Sequence, residues 1–291
     1  MKILKFCGKD IFAMNIKNCL CAFFVLLGGV SSLAFAGAPT QSENTASEGN
    51  LRESFHRLET WYQIASVKPL EKTQKSTLQS LLIKGGIVLT PEVSLLLGLP
   101  LVTLGSELAL TNPFLGMEAT LFEGLVKDFP TFVTLTGGVK IPLASQKEFV
   151  FKRTDVKIGL STLREIHHLN LVTDTAYIIK VDSQRQQNYG NEWSLMVGSE
   201  LDTGYNFSPG IHLNYRRAGG FQSEKENLSG RSLFILKPQF AYFYDSETTL
   251  TGSLAMPMGR QGIKDNLKIF GDYTIAGVGG NTFSLTFEKK F

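Results

Sequence analysis

Cysteine is scarce in this chain, and its three copies, Cys7, Cys19 and Cys21, all lie near the start. Once that start is removed, the remainder can form no disulfide, no thiolate zinc site and no cysteine nucleophile. Long apolar runs are missing too. No stretch of about 18 apolar residues follows Ala36, which excludes a membrane protein built from helices. Charge of one sign is also lacking. The chain has 29 Lys and Arg against 26 Asp and Glu. The excess sits in residues 1–36, which hold Lys2, Lys5, Lys9 and Lys17 but only Asp10. The rest balances at 25 basic and 25 acidic residues, so no nucleic-acid partner is indicated. Histidine beyond residue 36 is limited to His56, His167, His168 and His212. None stands in a His-x-Ser-Asn-Gly or Gly-His-x-Ser motif, and Asp182 and Asp202 do not supply the acidic pairs of a rim protease. No phosphate loop or zinc spacing occurs. No catalytic, cofactor-binding or metal-binding residue is therefore assigned, and no cofactor is implied.

The N-terminus is basic, then apolar or glycine over residues 20–30, then Ala34-Phe35-Ala36. This is the pattern of a secretory signal peptide cleaved after Ala36, and Met14 is a second candidate start. The apolar run is short for a membrane anchor. Residues 37–54 read as a flexible polar leader and 55–291 as one domain.

The far end carries the strongest structural signal. Phe283, Leu285, Phe287 and Phe291 alternate with Ser284, Thr286, Glu288 and Lys290. Side chains on a strand alternate faces, so one face is apolar and the other polar. Such an edge invites aggregation in water but suits a strand that closes a barrel in lipid. Phe283, Leu285, Phe287 and Phe291 are read as a barrel-assembly signal.

Twelve strands are predicted, at 58–67, 78–89, 93–104, 113–123, 131–143, 155–163, 169–182, 192–204, 210–217, 231–244, 248–257 and 279–291. Connections after even strands are tight: 90–92, around Lys127-Asp128, 164–168, 206–209 and 245–247. Those after odd strands are longer and polar: 68–77, 105–112, 144–154, 183–191, 218–230 and 258–278. Short turns at one end, long loops at the other and an even strand number characterise outer-membrane barrels. The predicted fold is therefore all-β: a closed, antiparallel, up-and-down transmembrane barrel with short periplasmic turns and longer external loops. Trp61, Tyr62, Trp193, Tyr205, Phe207, Tyr242, Phe243 and Tyr244 fall near strand ends, where rings could form interfacial girdles. Two segments stay open. Residues 51–64 also suit an amphipathic helix that would plug the lumen, and 267–276 (LKIFGDYTIA) also alternates like a strand.

Residues opposite the apolar stripes should face the lumen. The candidates are Lys84, Glu118, Lys140, Lys157, Asp174, Lys180, Glu200, Asp202, His212, Arg216 and Lys237, with Thr120, Thr134, Asn170 and Gln239 beside them. Their signs are mixed, so no ring of one charge is present to select ions. Leu82, Val88, Leu96, Val102, Leu233 and Ile235 are inward yet apolar. They suit either a segment packed over them or a greasy path for a hydrophobic or aromatic solute.

Three motifs point to a family. They are Leu97-Gly98-Leu99-Pro100, Gly137-Gly138-Val139-Lys140-Ile141-Pro142 and Leu254-Ala255-Met256-Pro257-Met258-Gly259. Together with the closing strand ending in Phe, their placement resembles the outer-membrane transporter family named for the MetA pathway of phenol degradation. The family's usual Thr-Gly after the lysine-proline motif is replaced here by Leu143-Ala144-Ser145. The resemblance implies a barrel for passive passage of small, including hydrophobic, solutes. The expected partners are outer-membrane lipids, the barrel-assembly machinery and a small solute. Two other classes remain: a phospholipase-like outer-membrane enzyme, and a plugged structural or adhesive barrel.

Overall fold

A computed structural model of the chain describes residues 56–67, 76–143, 153–182, 187–223, 227–258, 269–270 and 275–291. The signal peptide and polar leader read from the sequence lie outside the described residues. So do residues 51–55 of the alternative helix.

Sixteen strands form among the described residues. They are β1 (Arg57–Val67), β2 (Ser76–Thr90), β3 (Val93–Leu104), β4 (Glu107–Leu110), β5 (Phe114–Val126), β6 (Phe129–Lys140), β7 (Arg153–Ile166) and β8 (Leu169–Asp182). Then follow β9 (Gln187–Tyr189), β10 (Glu192–Leu201), β11 (Phe207–Ala218), β12 (Phe221–Ser223), β13 (Asn227–Leu228), β14 (Arg231–Phe243), β15 (Thr248–Met258) and β16 (Thr282–Lys290). Twelve of them make the barrel, each antiparallel to its neighbours, in the order β1-β2-β3-β5-β6-β7-β8-β10-β11-β14-β15-β16. Closure comes from β1. It pairs with β2 and also with β16, from Arg57↔Lys290 to Ala65↔Thr282. A closed ladder leaves no edge, which hydrocarbon demands because it offers backbone groups no partner. Residues 57–64 are therefore strand and not a plug helix.

The remaining strands sit in the long connections. The 105–112 loop holds β4, which pairs back on β3. The 183–191 and 218–230 loops contribute β9, β12 and β13, which form a three-stranded sheet of their own. Segment 267–276 is not a strand where it is described: Ile269 and Phe270 are helical and residues 275–280 turn. The turn predicted at 206–209 lies at 202–206 instead, because Phe207 already pairs with Tyr242 in β11.

Turn chemistry explains the tight end. Lys127 and Asp128 both have positive φ (51° and 67°), the geometry of a primed hairpin turn whose twist matches its strands. In the 244–247 turn, the Thr248 hydroxyl and the Glu247 amide bond the Asp245 carboxylate and hold it below the usual carboxylate range. Proline appears where a ladder donor is dispensable. Pro100 stands where β3 changes partner, between Gly98, paired with β5, and Leu101, paired with β4.

Radial sorting is evident along the central strands. Leu99, Ile158, Val197, Ile211 and Phe240 face outward and are exposed, while Ser80, Lys180, Glu192, Ser194 and His212 face inward and are buried. A bulge between Thr120 and Phe122 lets Leu121 and Phe122 both point outward. Outward rings gather at both rims. Trp193 meets Tyr215 at 5.6 Å, and Tyr215 meets Phe234 at 4.7 Å at the long-loop end. Phe207 and Phe240 lie 6.5 Å apart at the short-turn end. Trp61 corrects the girdle reading. It shares parity with Arg57, Glu59 and Gln63 and lies inside, with the Lys84 ammonium 4.0 Å from its ring centroid.

Candidate functional site: a charged lumen beneath an inturned loop

Within the β15–β16 connection, the described residues 269–270 and 275–278 lie against the inner wall of the barrel. Ile269, Phe270 and Val278 are almost wholly buried, and they pack with Leu78, Val102, Leu233, Ile235 and Ala255 from the inner wall. Inward apolar positions of β2, β3 and β14 are thus covered by the chain's own loop, at about 25 cal/mol for each Å² removed from water. Glycine makes the fit possible. Gly277 has φ +88°, and a Cβ there would lie 2.8 Å from Ile235 Cγ2. The Thr282 hydroxyl ties the turn by accepting from the Gly277 amide and donating to the Gly280 carbonyl, both at 3.0 Å.

Five charged side chains hold the loop from the wall. Arg153 donates to the Asp155 carboxylate at 2.7 and 3.1 Å and to the Phe270 carbonyl at 2.7 Å. Lys180 donates to the carbonyls of Ile269 and Phe270, both at 3.3 Å, and pairs with Glu192 at 2.7 Å. Arg216 pairs with the other oxygen of Glu192. The Tyr189 ring lies over the Arg153 guanidinium at 4.7 Å and packs on Phe221, so the small loop sheet braces the cluster. Buried charges need partners and hydrogen bonds, and this cluster supplies most of them, leaving Arg153 Nη1 and Arg216 Nε unbonded.

Below the loop lies a cavity of about 470 Å³. Of the predicted lumen residues, Lys84, Glu118, Lys140, Lys157, Asp174, Lys180 and Arg216 line it. Arg57, Glu59, Arg153, Asp155 and Glu192 join them, for seven cationic and five anionic side chains. Opposite charges pair across strands: Arg57 with Glu118 at 3.1 Å and Lys84 with Glu59 at 3.3 Å. Asp174 accepts from the Ser161 hydroxyl at 2.7 Å.

One sector of the wall is apolar. Leu82, Leu96, Pro100 and Phe114 line it. The Phe114 ring lies flat on the wall because Gly116 and Gly138 leave room. A Cβ on either would come within 2.5 Å of the ring carbon Cζ. Gly138 of the glycine-proline motif singled out in the sequence therefore has a packing function.

Three further candidates form or flank a separate cluster. His212 Nε2 lies 3.1 Å from Glu200 Oε1, which also accepts from Gln239 at 2.8 Å. His212 covers Gly198, where a Cβ would meet its ring at 2.1 Å. Lys237 sits 5.9 Å from the Trp61 ring centroid. Asp202 is placed differently. It lies past the end of β10, is exposed, and accepts from the Gly204 amide at 2.9 Å, which makes it a turn residue. Phe283 faces outward on β16, and the Phe291 amide donates to the His56 carbonyl at 2.8 Å. Among the described residues no group of three His, Cys, Asp or Glu could hold a metal ion.

The predicted lumen set lacks Arg57, Glu59, Trp61, Arg153, Asp155 and Glu192. Alternation on β1, β7 and β10 points to them, since each shares parity with an inward neighbour. Ile269 and Phe270 gave no such signal.

No family model matches the chain, and no curated protein does. Solved structures do match. An outer membrane channel from Pseudomonas putida F1 superposes with TM-score 0.60 at 10% identity, over 86% of this chain and 100% of that one. A NanC porin superposes with TM-score 0.47 at 8% identity, over 81% and 100%. The outer membrane phospholipase A from Escherichia coli superposes with TM-score 0.43 at 10% identity, over 83% and 95%. This chain has the fold of an outer-membrane β-barrel. The TM-score of 0.60 carries that conclusion; the two below 0.5 add nothing to it.

Proposed function

We propose that the chain is an outer-membrane channel that passes small solutes down their gradient. One observation carries the reading: a closed barrel encloses a cavity of about 470 Å³ whose wall combines paired charges with an apolar sector. Selectivity would arise from width, from the modest cationic excess and from the apolar sector, which suits hydrophobic or aromatic solutes. The signal peptide would deliver the chain across the inner membrane, and Phe283, Leu285, Phe287 and Phe291 would present the closing strand to the barrel-assembly machinery. The family resemblance in the glycine-proline motifs supports a transporter.

A second reading follows from the buried seat of Ile269 and Phe270: a barrel that stays plugged and serves as structure. Planar-bilayer recordings decide between them. A channel gives defined conductance steps, and Phe270→Ala enlarges them by thinning the loop. Silence in both wild type and variant favours the plugged barrel, and silence with lipid or peptide hydrolysis favours an enzyme.

A further inference from the structure

Arg217 is a charge on the face that the barrel turns to lipid. On β11 it shares parity with the exposed Ile211 and Leu213 and with Tyr215, and it is itself exposed. Its directly opposite neighbours are Trp193 on β10 and Ser232 on β14. Trp193 stands in turn opposite Tyr177 on β8. Tyr177, Trp193, Arg217 and Ser232 thus form one row across four strands. Tyr215 and Phe234 are opposite each other one step further from the long loops. The depth of the row follows from β11. Its outward residues run Phe207, Pro209, Ile211, Leu213 and Tyr215 before Arg217. From Phe207 to Arg217 the strand climbs about 34 Å at its ordinary rise, or about 26 Å along the membrane normal at a tilt of about 40°. The apolar band of such barrels is about 25 Å tall. Phe207 belongs to the girdle at the short-turn end, so Arg217 falls at the opposite boundary, where headgroups begin.

The acids nearby are turned away or engaged. β11 and β14 carry none. Those of β10 face inward: Glu192 is held between Lys180 and Arg216, and Glu200 lies beside His212. On β8, Asp174 and Asp182 share the inward parity of Lys180. Among the described residues the Arg217 guanidinium forms no ion pair. The other polar tips of the row are partly occupied. The Ser232 and Tyr215 hydroxyls lie 3.1 Å apart, and Asn191 donates to the Tyr177 hydroxyl at 2.9 Å. Amphipathic rings settle at the headgroup level, and a guanidinium binds phosphate through two parallel N–H donors. A lipid phosphate at this depth meets Arg217 while its acyl chains lie along the exposed Leu213 and Phe234. Free phosphate would use the charge and leave that apolar surface uncovered.

We propose that this row is a docking site for the phosphomonoester headgroup of an outer-leaflet lipid, with Arg217 as the phosphate contact and the rings as its collar. The proposal is independent of solute passage, so a barrel that stays silent in bilayers still shows it. The folded full chain in neutral detergent is mixed with dimyristoyl phosphatidic acid or with the diacylglycerol of the same chains, and bound lipid is counted by native mass spectrometry. The wild type holds phosphatidic acid at least about tenfold more tightly than diacylglycerol. Inorganic phosphate at equal concentration does not displace it. Arg217→Gln narrows the preference about tenfold, the loss of one charge-assisted contact. Arg164→Gln, on the outward face near the short turns, leaves the preference unchanged. Arg217 is exposed, so the variant should fold, and the mobility shift on unboiled gels checks that it does. Equal affinity for the two lipids overturns the proposal, as does an undiminished preference in folded Arg217→Gln. Displacement by inorganic phosphate would assign the charge to a free anion, and an equal loss in Arg164→Gln would assign the preference to bulk charge; either result also overturns it.

Discussion

Glu192 offers the sharpest test of how the lumen is held together. Its carboxylate is 1% exposed and lies between Lys180, at 2.7 Å, and Arg216. Glu192→Gln preserves shape and removes the charge. Two buried cations then face a neutral amide, with Arg153 close to Lys180 through the shared Phe270 carbonyl. At an effective dielectric near 20, each lost contact is worth about 4 kcal/mol of gross attraction. The carboxylate's own desolvation offsets part of this. Orphaning one side of a buried pair costs about 3–5 kcal/mol in net terms. Lys180 can lean toward the cavity, which it also lines, so the cost should fall near 3 kcal/mol. Urea unfolding from lipid vesicles, followed by tryptophan fluorescence and extrapolated linearly, measures it. Lys180→Gln in the Glu192→Gln background should return at least about 1 kcal/mol, because the like charges are then fewer. A cost below about 1 kcal/mol for Glu192→Gln would refute the idea that this cluster is dry and anchors the loop.

Other substitutions probe other links. Val197→Arg places a charge on the outward face of β10 and should cost about 2–4 kcal/mol, whereas Asn214→Arg on the inner face should insert like wild type; equal folding yields in vesicles would invalidate the assigned facing. Gly138→Ala puts a Cβ within 2.4 Å of the Phe114 ring and 2.8 Å of the Leu115 carbonyl. It should cost about 1–3 kcal/mol, less in a Phe114→Ala background, and the same cost in both would show that the ring is not what the glycine accommodates. Deleting Phe291 should slow assembly in cells but leave refolding into synthetic vesicles nearly unchanged. A matching defect in both would assign Phe291 to stability instead of recognition.

Most of the barrel could be read from period alone. Trp193, Leu195 and Val197 alternate with Glu192, Ser194 and Met196, and each half of that pattern faces the medium its chemistry prefers. Trp61 shows how a compositional habit can mislead. An aromatic near a strand end suggests a girdle, yet its parity with Arg57, Glu59 and Gln63 places it inside, where Lys84 and Lys237 use its ring. Residues 267–276 show the limit of period. Their alternation resembles a strand, but β16 already has two partners, β15 and β1, and no open edge remains for another.

Most strand positions, the hairpin turns and the radial sorting were determined by the sequence itself, because each depends on neighbours two residues apart or on the φ of a single turn residue. The tertiary structure alone decided three things: that β1 closes on β16, that Ile269 and Phe270 fold inward, and which charges meet. Those contacts join groups far apart along the chain, Arg153 to Phe270 across 117 positions and Lys180 to Ile269 across 89. No local pattern encodes such meetings; they exist only once the cylinder has closed and brought its far walls and its last loop into one enclosed volume.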